Sequence, residues 1–85
     1  MTEIKLKQFG EMLLSRPAGR EAWLVAQAYS LPKNNANKII VDFDGVLVLS
    51  PSWADEFLTP LKEKYKDVEY KNTSNASVKA SLEII

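Results

Sequence analysis

Asp42 and Asp44 are two carboxylates whose spacing could serve a metal-binding or catalytic site. They follow the apolar run from Ile39 to Val41 and precede Gly45. A Mg²⁺ site needs several oxygen ligands in near-octahedral geometry, and two carboxylates rarely supply these alone. Aspartates in turns also bond their own backbone two residues further on. The pair therefore indicates either part of a metal site or a turn, and both interpretations stay open.

A second group of candidate residues lies in the run from Ser50 to Glu56, S-P-S-W-A-D-E. Ser52 with Asp55 three residues later has the form of a capping box, in which a serine satisfies free backbone N–H groups at a helix start. Ser50 before Pro51 could do the same. These serines are candidate helix caps, and the surface around them is our candidate for contact with a partner.

Aromatic and charged residues accompany this predicted helix start. Trp53 could be an exposed anchor for a partner, or it could pack against a neighbouring loop. Arg16 and Arg20 flank another predicted helix start, where positive charge is unfavourable against the helix dipole. Their placement indicates an acidic partner, either Asp55 or Glu56 in the same fold or an external anion, with solvated surface charge as the alternative.

The composition limits the functions that the chain can have. Eleven acidic and eleven basic residues cancel, so no overall charge favours nucleic acid or an anionic membrane. The sequence contains neither cysteine nor histidine. It therefore has no thiolate zinc site, no disulfide and no imidazole base. These absences favour a protein that is not an enzyme and needs no cofactor.

Length and hydropathy indicate one small domain over residues 1–85. The chain is 46% apolar and 26% charged, which is ordinary for a globular domain. No apolar run approaches the roughly 20 residues that cross a bilayer. The first residues also lack the apolar core of a signal peptide. We therefore expect a cytoplasmic protein.

Hydrophobic periodicity predicts the elements of the first half. Residues 3–7 alternate as a half-buried strand, and residues 12–14 form a short second strand. A helix is predicted over about 18–30, with one buried face formed by Ala22, Val25, Ala26 and Tyr29. Pro32 and the polar run from Lys33 to Asn37 end that helix. Residues 39–43 are apolar on both faces, which is typical of a central strand covered on both sides.

The second half predicts a helix, a strand and a terminal helix. The dipeptide Asp44–Gly45 is also a hairpin signal, although a connector to the next helix is the preferred interpretation. That helix should begin between Ser50 and Ser52 and kink or stop early at Pro60. Residues 68–71 alternate as a strand, and Val78, Leu82 and Ile85 share one face of the last helix. The order β(β)αβαβα predicts a small α/β domain with a mostly parallel mixed sheet.

Motifs in this sequence resemble those of two protein families. The run D-F-D-G-V-L from Asp42 to Leu47 resembles the first motif of haloacid-dehalogenase-type phosphatases. This resemblance implies Asp42 as phosphoryl acceptor, Asp44 as acid and base, and Mg²⁺ between them. The family also needs a downstream Ser or Thr, a Lys and further acidic ligands, and only about 40 residues remain after this motif.

The second resemblance covers nearly the whole chain. The blocks F-G-E-M-L-L-S-R-P-A-G-R, V-D-F-D-G-V and S-P-S-W-A-D-E-F look like the bacterial STAS-like domain family of unknown function. Trp53 stands where that family usually has Phe. The resemblance implies a STAS-like fold and leaves the activity unassigned.

The wider STAS fold includes antagonists of anti-sigma factors, in which a kinase of the histidine-kinase-ATPase type phosphorylates a serine at a helix start. Their pattern, D-x-S-G-V followed by D-S-S-G, places Ser52 at the phosphorylated position. Here Ser50 replaces the acidic residue, Pro51 the first serine and Trp53 the glycine. The resemblance thus implies a regulatory module with a protein partner of the kinase type, contacted through Ser50, Ser52, Trp53, Asp55 and Glu56. The oligomeric state does not follow from the sequence.

Overall fold

The computed structural model describes residues 1–34 and 36–85, so Asn35, in the predicted loop between Lys33 and Asn37, lies outside the described residues. The described residues form five short strands and three α-helices, and a 3-10 helix, Leu6–Phe9, follows the first strand. In chain order these elements are β1 (Thr2–Lys5), β2 (Met12–Leu13), α1 (Arg16–Tyr29), β3 (Ile39–Asp42), β4 (Val48–Leu49), α2 (Pro51–Lys64), β5 (Val68–Lys71) and α3 (Ala76–Ile84).

The strands form two parallel sheets. The larger sheet has the order β1-β3-β5, and the smaller one pairs β2 with β4. Every strand pair within the described residues is parallel, and the α/β prediction is confirmed. The strands form two separate parallel sheets, whereas one mostly parallel mixed sheet was expected. The hairpin alternative is wrong, because the chain beyond Gly45 pairs with β2 rather than folding back onto β3.

Only one face of the larger sheet enters the core. In β3, Ile39 and Val41 are fully buried, whereas Ile40 lies on the opposite face and is half-buried. That opposite face also carries the ion pair between Lys71 Nζ and Glu3 Oε2, 3.0 Å apart. The prediction of a sheet covered on both faces is therefore wrong. The flanking strands β1 and β5 alternate apolar with charged residues, so they can be covered on one side only.

Helix α1 packs against α2 through a flank that overlaps the predicted one, since Ala22 and Ala26 are buried as predicted. The buried flank consists of small residues and one tryptophan, namely Gly19, Ala22, Trp23 and Ala26. Val25 and Tyr29 were predicted to be buried, but they are 42% and 86% exposed. Apolar residues occupy two flanks of α1, and α2 meets the flank whose small side chains allow close approach.

Aromatic contacts hold α2 against its neighbours. Within α2 the rings of Trp53 and Phe57 stack with centroids 5.0 Å apart, and the Phe57 ring lies 5.5 Å from Phe9 and 5.9 Å from Trp23. Of the two outcomes predicted at Pro60, a kink or an early stop, the early stop is wrong, because α2 continues to Lys64. Leu61, directly after Pro60, is fully buried. Its burial stabilises the last turn although Pro60 donates no hydrogen bond there.

Side chains of α3 complete the hydrogen bonding of the outer edge of β4. Asn75 Nδ2 donates to the Leu47 carbonyl at 2.9 Å, and Ser77 Oγ accepts from the Leu49 N–H at 3.2 Å. Ser81 Oγ donates to the Leu49 carbonyl at 2.6 Å. Asn75 also caps α3 by accepting from the N–H groups of its first turn. The edge of this two-stranded sheet is therefore covered by a helix instead of another strand.

Candidate functional site

The start of α2 is capped by Ser50. Its backbone is extended, and its Oγ accepts from the Trp53 N–H at 3.2 Å. Pro51 occupies the first helical position, where no backbone N–H is needed. The prediction that Ser52 and Asp55 form a capping box is therefore wrong. Ser52 already lies inside the helix, and Asp55 forms hydrogen bonds with the side chains of Arg16 and Thr59.

Asp55 and Glu56 bind Arg16, at the start of α1. Arg16 Nη1 lies 2.8 Å from Asp55 Oδ2 and 3.3 Å from Glu56 Oε2. Thr59 Oγ1 donates to Asp55 Oδ1 at 2.8 Å. The hydrogen bonds from Arg16 and then from Thr59 hold the pKa of Asp55 below its usual range. Of the alternatives for Arg16, contact with an acidic residue of the same fold is confirmed, and its guanidinium offsets the charge of both carboxylates.

Ser52 lines a groove beside this ion pair. The groove has a volume of about 220 Å³, and its other walls come from Arg16, Pro51, Asp55, Ile84 and Ile85. The Ser52 side chain is half-buried, and its hydroxyl has no hydrogen-bond partner within the described part of the chain. The structure thus brings together Ser52 and Asp55 from the predicted set. It adds Ile84 from the end of α3, which no local sequence signal had marked.

Trp53 lies in the core rather than at this surface. Its side chain is 2% exposed and stacks on Phe57. The interpretation of Trp53 as an exposed anchor is therefore wrong, and its packing role holds. A large ring at the third helical position fixes the first turn of α2, so Ser52 and Asp55 are presented from a rigid helix.

Asp42 and Asp44 form a turn. Asp42 Oδ1 accepts from the Asp44 N–H at 2.9 Å and from Asn72 Nδ2 at 2.8 Å, which confirms the turn interpretation. These bonds, first that of Asn72 and then that of the backbone, lower the pKa of Asp42, although burial opposes the shift. Asn72 has a φ of 59°, a conformation that asparagine tolerates well. Its partnership with Asp42 was missed because 30 residues separate them.

The family comparison covers the turn after β3 and the start of α2, but not Arg16 or Ile84. The family model for the STAS-like domain of unknown function (DUF4325) matches residues 29–78, more than half of the chain. This chain belongs to that family. The matched part of the STAS-like domain runs from the end of α1 into α3, and it includes the turn at Asp42 and the start of α2. No curated protein matches the chain, and no solved structure matches it either.

In the STAS-like domain, the start of α2 presents polar side chains that could bind a partner group. The side chains at the turn after β3 instead hydrogen-bond one another and the backbone. Within residues 1–34 and 36–85, no three acidic side chains come together as a cluster that could hold a metal ion. No described helix is long and apolar enough to span a bilayer. At the α2 start, a hydroxyl, a guanidinium and a carboxylate line one open groove. Such a groove can recognise a charged partner group or respond to a change of charge.

Proposed function

We propose that this STAS-like domain is a non-enzymatic regulatory module that binds a protein partner through the start of α2 and is switched by phosphorylation of Ser52. One observation carries the proposal: the Ser52 hydroxyl is not used as the helix cap, and it lines a groove with Arg16. Because Ser50 does the capping, a modification at Ser52 leaves the cap of α2 in place.

Phosphorylation would change the charge of this groove. A phosphoserine carries about −1.5 to −2 charges at pH 7. The N-terminus of α2 and the Arg16 guanidinium both favour that charge. Asp55 and Glu56 oppose it, and they already bind Arg16. The phosphate would therefore compete with these two carboxylates for Arg16, and a partner that fits the neutral surface would meet a rearranged, more acidic one.

The partner class follows from the family resemblance. A kinase of the histidine-kinase-ATPase type would be both the binding partner and the enzyme that modifies Ser52. The contact surface consists of Ser50, Ser52, Asp55 and Glu56, while Trp53 supports it from the core.

A pull-down from the native host tests the proposal. Wild type, Ser52→Ala and Ser52→Asp serve as baits, and Ser74→Asp is the matched control because Ser74 is exposed and lies in the loop before α3. We expect one partner that wild type, Ser52→Ala and Ser74→Asp retain and that Ser52→Asp loses. A partner held equally by all four baits would overturn the switch, and no specific partner would overturn the module itself.

The alternative is a Mg²⁺-dependent phosphatase fragment with Asp42 as phosphoryl acceptor and Asp44 as acid and base. The geometry favours this less, because Asp42 is 4% exposed and its Oδ1 already accepts two hydrogen bonds. A nucleophilic carboxylate needs an open approach for the phosphoryl group. Mg²⁺-dependent hydrolysis of an aryl phosphate that Asp42→Asn abolishes would establish this alternative instead.

A further inference from the structure

Arg16 is attached to α2 through only one of its side-chain nitrogens. Nη1 makes both contacts, at 2.8 Å from Asp55 Oδ2 and 3.3 Å from Glu56 Oε2. Nε and Nη2 have no hydrogen-bond partner among the described residues. A guanidinium carries N–H donors on all three nitrogens, and it binds carboxylates and phosphates most strongly through two donors at once. The two ion pairs therefore leave most of the donors of Arg16 unused.

The two carboxylates can release Arg16 without being buried and unpaired. Asp55 binds Arg16 through Oδ2 and accepts from Thr59 through Oδ1, so it keeps one hydrogen bond when Arg16 leaves. The side chains of Asp55 and Glu56 are 41% and 28% exposed, so water can replace the guanidinium. Ion pairs between exposed side chains also contribute little to stability, because solvent weakens them. Arg16 is therefore held loosely enough to change partner.

Ser52 lies on the same face of α2 as these carboxylates. Residues three and four apart are neighbours on a helix surface, so Ser52, Asp55 and Glu56 form one column. Three residues correspond to about 4.5 Å along the helix axis. The Arg16 side chain is 56% exposed and lines the same groove as Ser52. The groove volume of about 220 Å³ is several times the roughly 30 Å³ that one water molecule occupies, so a phosphate group has room there.

We infer that Arg16 is the moving part of the switch: it binds Asp55 and Glu56 while Ser52 is unmodified, and it moves to the phosphate when Ser52 is phosphorylated. This inference rests on the proposed function and adds the residue that responds to the modification. A phosphoserine carries more negative charge than one carboxylate and offers three acceptor oxygens to the unused donors of Arg16. The N-terminus of α2 favours the same position for the phosphate.

Only side chains need to move in this response. Trp53 is 2% exposed and fixes the first turn of α2 in the core, and Gly19 of α1 packs against its backbone. The two helices therefore keep their positions while Arg16 turns about its own bonds. Its departure leaves Asp55 and Glu56 without a positive neighbour. The surface that a partner meets thus becomes more acidic one turn beyond Ser52 as well as at the phosphate itself.

Phosphorus NMR on the full chain with phosphoserine incorporated at position 52 tests this inference. Wild type, Arg16→Gln and Arg20→Gln are titrated with acid and base. Arg20 is the matched control, because it is an exposed cation of α1 that forms no ion pair within the described residues. A cation beside the phosphate favours its doubly charged form and so lowers its second pKa. We expect Arg16→Gln to raise this pKa by about one unit and Arg20→Gln to raise it far less. Equal shifts, or no shift, would overturn the inference.

Phosphoserine at position 74 shows whether the effect of Arg16→Gln is local, because Ser74 is exposed in the loop before α3. We expect Arg16→Gln to leave the pKa of that phosphate unchanged, and a shift as large as at position 52 would overturn the direct contact. Amide spectra test the second part of the inference. Phosphorylation at position 52 should leave the signals of Ala22 and Ala26, which are buried in α1, in place. Displaced signals would show that the helices move instead.

These measurements need neither a kinase nor a partner, because the phosphate is incorporated during synthesis. An effect of Arg16 on the phosphate, together with no partner in the pull-down, would refute the proposed function alone. A partner that Ser52→Asp loses, together with no effect of Arg16 on the phosphate, would refute this inference alone.

Discussion

Gly19 in α1 lies directly against the backbone of Trp53 in α2. A Cβ atom at position 19 would lie 2.6 Å from the Trp53 carbonyl oxygen and 3.0 Å from its Cα. The two helices therefore approach as closely as a glycine permits. This contact explains why α2 packs on the flank of α1 that contains Gly19 rather than on the flank of Val25 and Tyr29.

Gly19→Ala should lower the free energy of unfolding by about 1–3 kcal/mol, because the added methyl group overpacks the helix contact. The loss should appear although alanine is intrinsically the better helix former by about 1 kcal/mol. Urea denaturation measures it, with Ala28→Gly as the control for helix propensity at an exposed position of α1. A Gly19→Ala variant as stable as wild type would contradict this helix packing.

Ser50→Ala should destabilise the fold by about 1 kcal/mol, because the first turn of α2 loses its cap. Ser52→Ala should change stability by less than about 0.5 kcal/mol, since the Ser52 hydroxyl makes no bond within the described residues. Thermal or chemical unfolding of the two variants side by side makes the comparison. The reverse ranking would move the cap to Ser52 and remove the observation on which the proposed switch rests.

Ser81→Ala should cost about 1–3 kcal/mol, because it leaves the buried Leu49 carbonyl without its hydrogen bond. The matched control is Ser74→Ala, at an exposed serine outside the helix. Hydrogen exchange should also show faster exchange in α3 of the Ser81→Ala variant. If both serine variants have wild-type stability, the bond between α3 and β4 contributes nothing to holding the helix.

Stability should fall at acidic pH partly through Asp42. Its pKa is lower in the folded chain than in the unfolded one, so its contribution is complete above the ordinary carboxyl value of about 3.9 and is lost as the pH falls through the folded pKa. Asp42→Asn keeps the shape and an acceptor oxygen but does not titrate. Lowering the pH from about 6 to about 3 should therefore reduce the free energy of unfolding of Asp42→Asn by less than that of the wild type. Denaturation curves recorded across this pH range measure the difference.

Asp55 should also make the stability fall as the pH falls, because its pKa is lowered in the folded chain too. Some acid sensitivity should thus remain in Asp42→Asn. Identical pH profiles for wild type and Asp42→Asn would show that the bonds from Asn72 and the Asp44 N–H do not favour the charged carboxylate.

Local patterns predicted most elements of the fold. The alternation at Val68 and Tyr70 identified β5. Periodicity identified only part of the buried flank of α1, because Val25 and Tyr29 satisfy the helical spacing as well as Ala22 and Ala26 do. At the candidate site, the pattern S-P-S identified a helix start, but choosing between Ser50 and Ser52 as the cap required the backbone geometry.

The sequence by itself determined the α/β order and the family, because the periodicity and the motif blocks on which they depend lie within short runs of residues. The tertiary structure decided that Trp53 is buried, that Arg16 binds Asp55 and that Ser52 lines a groove with Ile84. The physical reason is distance along the chain: Arg16 and Asp55 are 39 residues apart, and only the close approach of α1 to α2 at Gly19 brings them together.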